Sequence, residues 1–286
     1  MTEVVIAAAA RTPVGAFLGS LSSLPAHTLG ETVIVEALKR AEVDPEEVSE
    51  VIMGQILSAG EGQNPARQAA VGAGIPVEKT AYGINQLCGS GLRSVALGFQ
   101  AIKVGDSSIV VAGGQENMSQ APHCVYLRDG TKMGSTEMVD TMIKDGLWDA
   151  FNGYHMGNTA ENVAERHCIS REDMDELAVT SHQRAARAIA EGRFKEQILP
   201  IEVKTRKGTT TFDTDEHVRA DVDAAAMAGM RPAFKKDGSV TAGNASGIND
   251  GAAAVVLATG NEVQARGLKP LAKIVAWGHA GVEPAY

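Results

Sequence analysis

Asn85-Gln86-Leu87-Cys88-Gly89-Ser90-Gly91-Leu92-Arg93 is the stretch whose reading decides the rest of the chain. It lies where an extended segment gives way to a helix expected over 88–104. A helix N-terminus leaves backbone N–H groups unpaired and carries a partial positive charge, and both favour a thiolate over a thiol. The thiolate is the form of cysteine that attacks, so the placement suits a nucleophile. Glycine on either side of Ser90 strips bulk from the first turn, and a ligand or a second backbone can approach closely there. The same residues also suit a small structural cysteine packed beside a Gly-rich turn. The cysteine by itself does not choose between the two.

Working outward, near-continuous apolar runs at 4–9, 51–57, 109–113 and 252–258 read as strands covered on both faces. Helices are expected over 28–41, 65–73 and 262–266 as well as 88–104. Pro65 suits the first turn of its helix, where a missing N–H is harmless. The 88–104 helix carries charge only at Arg93 and Lys103, and a helix apolar on nearly every side is a buried one. Alternating strands and helices imply an α/β fold, with layered helices on a mixed, largely parallel sheet. Between 118 and 243 charge becomes more frequent, and Gly, Thr and Asp punctuate the chain. Helices over 159–166 and 172–191 are expected there, the second capped by Ser170 with Asp173 at the capping-box position. A hairpin of 198–203 with 209–212 turns across Arg206-Lys207-Gly208. So long an insertion between two strands of one sheet is usually functional. The expected organisation is a layered domain of 1–117 and 244–268, an inserted loop domain of 118–243, and a segment 269–286 that opens something further.

Composition narrows the function classes. With 286 residues, 44% of them hydrophobic, the chain can bury a substantial core, and aromatics are only 4%. The formal net charge of −9 argues against nucleic acid as a partner. Three cysteines with no C-x-x-C spacing exclude a zinc ribbon and a disulfide framework, and no metal site is expected. Cys124 and Cys168 have no glycine turn beside them and read as structural. Met1-Thr2-Glu3 carries no basic leader, and the apolar run that follows is short and ends at Arg11, so the expectation is a cytoplasmic protein without a signal peptide or membrane span.

The cysteine segment resembles the nucleophile motif of the thiolase family. Gly60-Glu61-Gly62-Gln63-Asn64-Pro65-Ala66-Arg67-Gln68-Ala69, Ala121-Pro122-His123, Tyr154-His155-Met156-Gly157 and Thr241-Ala242-Gly243-Asn244-Ala245-Ser246-Gly247 are similar to further family segments, in family order. The likeness runs from about Val4 to Val282. It implies the N-terminal half of the thiolase fold, with 118–243 as the loop domain that covers coenzyme A. Complete thiolases are longer. Their Asn-Glu-Ala-Phe, Gly-His-Pro and Cys-x-Gly-Gly-Gly segments do not occur here, and Gly278-His279-Ala280-Gly281 lacks the proline. The expectation is a chain truncated just after the second half begins, near Lys269. The resemblance further implies a short-chain biosynthetic enzyme that condenses two acetyl-CoA to acetoacetyl-CoA, or runs the reverse thiolysis, through an acetyl-cysteine.

By that resemblance Cys88 is the acyl carrier, and its own N–H would stabilise an oxyanion. The family's activating base, second acid/base cysteine and Asn-held water fall in the segments not found. General acid–base help is worth about 10²–10⁴-fold per group, so the chain alone is expected to acylate slowly and not to condense. Matching carries over His155 and Met156 beside the pantetheine and acyl group, although a His before Met-Gly also suits a helix cap. Arg219 matches the arginine near the nucleotide end, and as a bare sequence feature is equally a solvated loop arginine. Ser246 matches the pantetheine serine, and Leu147, Phe234 and Ala242 its apolar wall. Ala226 stands where serine is frequent near the adenine, and Gln115 where methionine is common. Coenzyme A enters as a substrate, and no cofactor is implied. Arg128–Met133, with Ala121-Pro122-His123-Cys124, resembles the segment that pairs dimers into a homotetramer. Two other classes use some of the same residues: a cysteine-dependent acyl-CoA thioesterase, for which His155 is the one candidate base, and a non-catalytic acyl-CoA-binding or assembly protein.

Overall fold

The computed structural model describes residues 3–206 and 208–286. Met1 and Thr2 of the expected leaderless start, and Lys207 of the expected hairpin turn, lie outside the described residues. The chain divides into two compact units. Met1–Pro122, Lys195–Glu216 and Asn249–Gly278 form the first; His123–Phe194, His217–Ile248 and His279–Tyr286 form the second.

The first unit opens with β1 (Val4–Arg11), β2 (Gly15–Ala16), α1 (Ala26–Arg40), β3 (Glu50–Gly54), α2 (Pro65–Gly72), β4 (Thr80–Ile84), α3 (Ser90–Val104) and β5 (Ile109–Asn117). The second unit supplies two short pairings, β6 (His123–Cys124) with β7 (Val139–Asp140) and β8 (Trp148–Asp149) with β9 (Tyr154–His155), and then α4 (Met156–His167) and α5 (Arg171–Ala190). The hairpin β10 (Ile201–Thr205) and β11 (Gly208–Phe212) returns to the first unit. After α6 (Ala224–Ala228), in the second unit, β12 (Asn249–Thr259), α7 (Gly260–Ala265) and β13 (Ala272–Lys273) complete the first.

The sheet of the first unit runs β13-β1-β12-β5-β3-β4, with β2 paired to β12. It is mixed. β3 is parallel to β4 and β5, whereas β12 is antiparallel to both β5 and β1, and β13 is antiparallel to β1. It follows that β1, β3, β4 and β5 share one direction and only β12 and β13 oppose them. One face packs under α1 and α2, where Leu29, Val33, Ile34, Ala66 and Ala69 bury against Val51, Met53, Val111 and Val256. Asn64 starts α2 by accepting the Arg67 N–H, with Pro65 behind it, as the N1 rule requires. The other face is covered by α3, whose Ile102 meets Ile52, Val110 and Leu257.

Three expectations change. The helix that reads as buried on every side turns only one face inward: Ser94, Ala96, Gly98 and Ile102 are buried, while Leu92 is 82% and Val104 72% exposed. Within this chain the sheet offers that helix cover on one side only. Thr80–Ile84 was not legible as a strand because it is a sheet edge with no buried residue, and so has no continuous apolar run. The segment after 269 adds to the first sheet: the Leu271 and Ile274 N–H groups bond the Ile6 and Val4 carbonyls at 2.9 and 3.1 Å. The capping box of α5 forms as expected, with the Asp173 N–H on Ser170 Oγ and the Ser170 N–H on Asp173 Oδ2. Among the described residues no helix is long and apolar enough to cross a membrane.

Candidate active site and ligand-binding segments

The nucleophile segment sits where the C-terminal ends of β3 and β5 meet the N-terminus of α3, the end of such sheets at which ligands bind. The helix begins at Ser90, so Cys88 stands two residues before it, in an elbow. Leu87 adopts φ 49°, a left-handed conformation that costs a side-chain-bearing residue about 1–2 kcal/mol. The elbow is latched by Ser90, 4% exposed, whose Oγ accepts the Gln86 N–H at 2.7 Å and donates to the Leu87 carbonyl at 2.6 Å. Asn85 Oδ1 accepts the Leu87 N–H at 2.9 Å. The result is an exposed Cys88 at the positive end of α3.

Glycine lets the helix come this close. A Cβ on Gly54, the last residue of β3, would stand 2.5 Å from the Ser90 carbonyl carbon and 2.6 Å from the Gly91 nitrogen. Ser94 Oγ donates to the Gly113 carbonyl at 2.8 Å and ties the second turn to β5. The sequence expectation that backbone approaches backbone at Gly91 is met by the sheet itself.

Cys88 opens on a cavity of about 390 Å³ in the first unit, lined also by Arg11, Gln55, Glu116 and Asp250. The Glu116 carboxylate accepts the Ile56 and Leu57 N–H groups at 2.8 and 3.0 Å and fixes the loop after β3. Burial, opposed by those bonds, pushes the Glu116 carboxyl up, with Glu61 and Asp250 adding repulsion. Asp250 is raised for the same first reason, although it accepts from both Ser119 N and Ser119 Oγ. Arg11 is engaged by Asp215, Nη1 to Oδ1 at 2.8 Å and Nη2 to Oδ2 at 3.0 Å. Glu116, Asp250 and the Ser90 latch escaped the sequence reading. For Glu116 and Asp250 the only signal was position, near the ends of apolar runs that read as strands; Ser90 showed its flanking glycines but not its bonds.

The other predicted site residues belong to the second unit. His155 is the N-cap of α4: its Nδ1 accepts the Gly157 N–H at 3.0 Å, so the cap reading holds. Its ring also stacks on Phe234, centroids 4.7 Å apart and 20° between planes. A side chain at Gly157 would run into the Phe234 ring, so the glycine permits the stack. Burial lowers the His155 pKa and favours the neutral ring. Met156 opens α4 and is 36% exposed. Leu147 ends a π-helical turn, one residue before Trp148, which pairs with His155 across β8 and β9.

Ala242 and Ser246 lie on a turn closed by the Thr241 N–H on Asn244 Oδ1 at 2.8 Å. Ser246 lines a second cavity, of about 320 Å³, with Ser181, His182, His217 and Asn244. The Arg219 N–H donates to Nδ1 of that His182 at 3.2 Å, so the Arg219 and Ser246 segments meet around one histidine. His182 and His217 were missed, because a histidine within an amphipathic helix, like His182, or within a turn, like His217, carries no signal of its own. The Ala226 N–H donates to Asp223, which caps α6. Cys124 is half-buried. Cys168 is exposed at the left-handed C-cap of α4, φ 53°, rather than packed in a core. Among the described residues no cluster of three or more His, Cys, Asp or Glu could hold a metal ion.

Comparison with known proteins agrees with this arrangement. The family model for the thiolase N-terminal domain matches residues 4–261. The acetyl-CoA acetyltransferase of Paracoccus denitrificans is 57% identical over 284 residues, 99% of this chain and 73% of that protein. The cytosolic acetyl-CoA acetyltransferase of Rattus norvegicus is 55% identical over 98% of this chain and 71% of its own length. The crystal structure of the Bacillus anthracis acetyl-CoA acetyltransferase superposes with a TM-score of 0.97 at 44% identity, covering all of this chain and 72% of that one. A cysteine elbow between strand ends and a helix N-terminus, in a chain matched by that model and by these relatives along nearly its whole length, places the protein in the thiolase family.

Proposed function

We propose that the protein is an acetyl-CoA C-acetyltransferase, which condenses two acetyl-CoA to acetoacetyl-CoA and catalyses the reverse thiolysis. The observation that carries the reading is Cys88, exposed in a latched elbow at the positive end of α3 and facing a cavity. In the first half-reaction the Cys88 thiolate adds to the thioester carbonyl of acetyl-CoA. The carbonyl π-electrons move onto oxygen, beside the N–H groups at the start of α3. Collapse forms the Cys88–acetyl bond and breaks the bond to coenzyme A, whose sulfur leaves with the electron pair and takes a proton. In the second half-reaction the methyl carbon of another acetyl-CoA, having lost a proton, attacks the acetyl group and frees Cys88. One difficult acyl transfer is thereby divided into two easier ones.

In this reading His155, Met156, Leu147, Phe234, Ala242 and Ser246 hold the pantetheine and acyl end of coenzyme A, and Arg219 its nucleotide end. The stacked His155–Phe234 pair and the Ser246 turn supply apolar and polar surface of that kind. Coenzyme A is a substrate, and thioester exchange needs neither metal nor redox cofactor. Location in the cytosol, as in the description of the rat relative, and a homotetramer joined through the exposed Arg128–Met133 loop with the Ala121-Pro122-His123-Cys124 segment complete the proposal.

The first half-reaction tests the reading without the condensation step. Incubation with acetyl-CoA and isotopically labelled coenzyme A should scramble the label, and Cys88→Ala should abolish it. Release of acetate with coenzyme A would instead indicate a thioesterase. Binding without exchange or release would indicate an acyl-CoA-binding protein.

A further inference from the structure

The loop that carries Arg219 hangs on one histidine. Residues 217–222 join the second unit's fold between β11 and the Asp223 cap of α6. Among the described residues, the only hydrogen bond that ties the main chain of 217–222 to another element runs from the Arg219 N–H to His182 Nδ1, at 3.2 Å. The histidine side of that bond is firmly held. α5, on which His182 sits, starts in the Ser170–Asp173 capping box. It is pinned by Arg171, which bonds Asp175 at 2.7 Å and the Met227 and Met230 carbonyls at 2.6 and 3.0 Å. Asp175 in turn accepts from Asn244 at 2.9 Å, on the turn that carries Ser246. Among the described residues, His182 thus supplies the one hydrogen bond between this held helix and the main chain of 217–222.

We propose that His182 is a positioning residue for coenzyme A, holding the Arg219 loop only while its imidazole is neutral. An Nδ1 that accepts a backbone N–H must keep its lone pair, which puts the ring proton on Nε2. Protonation fills Nδ1 with a second N–H, and two donors then face each other. The proposal rests on the reading of Arg219 as the nucleotide-end residue, but the latch itself does not.

The electrostatics favour the neutral form. His217 lies with its ring centroid 6.0 Å from that of His182, and the Arg219 guanidinium is a cation near it. The other cavity neighbours, which from α5 include Met174, Leu177, Ala178 and Ser181 and from the 243–247 turn Asn244 and Ser246, are all uncharged. With partial burial added, protonation of His182 is disfavoured. The latch is therefore closed at neutral pH and opens as the medium acidifies.

The test pairs a ligand-free measurement with a binding one. In protein with ¹⁵N-labelled histidine, His182 should show the Nε2–H tautomer at neutral pH, and exchange of the Arg219 amide should accelerate as His182 titrates. An Nδ1–H tautomer, or an Arg219 amide indifferent to that titration, would overturn the latch whatever the protein binds. In calorimetric titration with coenzyme A, acidification through the His182 transition should weaken wild-type binding about threefold to tenfold, the worth of one hydrogen bond. His182→Gln, whose Oε1 accepts without titrating, should keep the neutral-pH affinity and lose this part of the pH dependence. His182→Ala should bind weakly at both pH values. A glutamine variant with the wild-type pH slope would overturn the positioning role. Absence of coenzyme A binding at every pH would overturn the reading of Arg219 and the positioning role with it, while the tautomer and amide data would still decide the latch.

Discussion

Replacing Ser90 with alanine should both loosen and disarm the elbow. Ser90 Oγ makes two bonds, 2.7 Å from the Gln86 nitrogen and 2.6 Å from the Leu87 oxygen, at a site only 4% exposed. Each is worth about 0.5–1.5 kcal/mol net, so the pair contributes about 1–3 kcal/mol. Against it stands the left-handed Leu87, at about 1–2 kcal/mol. The latch and the strain are of the same size, so without the hydroxyl Leu87 is free to relax and carry Cys88 with it. Urea unfolding should report a loss of about 1–3 kcal/mol, small beside the roughly 5–15 kcal/mol of a domain, so the variant still folds. Acetyl exchange should fall about tenfold to a hundredfold, since a nucleophile displaced by about an ångström loses that much. Leu87 is 47% exposed, and Leu87→Gly adopts φ > 0 without strain. Added to Ser90→Ala, it should therefore recover part of the exchange. A Ser90→Ala protein with wild-type stability and exchange would refute the latch.

Cys88 and Cys168 are both exposed, but one lies at the positive end of α3 and the other at the negative end of α4. Limited iodoacetamide should therefore label Cys88 first, and equal labelling would remove the case for an activated nucleophile. The pKa values of His155 and His182 are both lowered in the fold, chiefly by burial. Their contribution to stability is present above the unfolded value near 6.5 and is lost as pH falls through the folded values. Chemical melts across that window should show stability dropping toward acid, less so in a double Gln variant; an identical slope in the variant would contradict the assignment. The outer face of α3 should bind ANS, because Leu92 and Val104 are open to solvent. Leu92→Lys should reduce that binding while changing stability within about 0.5 kcal/mol, and unchanged fluorescence would show that the dye binds elsewhere.

The fold was legible wherever a local pattern sufficed. Val4, Val51, Ile109 and Ala252 opened apolar runs, and each run holds part of a strand in one sheet, since a strand covered on both faces writes its burial into the sequence. Thr80–Ile84 writes nothing, because an edge strand needs no apolar run. Ser170 and Asp173 announced the start of α5 through a contact that spans three residues. Cys88 was legible through its glycines and its place where a strand gives way to a helix, although the helix starts at Ser90 and not at Cys88 as expected. The Ser90 latch was not, because two hydrogen bonds to an elbow require the path of the elbow itself. The partners of His182 were hidden more deeply: the bond to Arg219 spans 37 residues and no periodicity encodes it.

The most direct measurement is the mass of the intact protein after exposure to acetyl-CoA, followed by peptide mapping. Cys88 is exposed beside a cavity at the positive end of α3, so exposure to acetyl-CoA should leave an acetyl adduct on the protein. The adduct should be a single acetyl group on Cys88, removable by added coenzyme A with recovery of acetyl-CoA. An acetyl group on Cys124, Cys168 or a lysine, or no adduct while acetyl-CoA is consumed to acetate, would contradict the account.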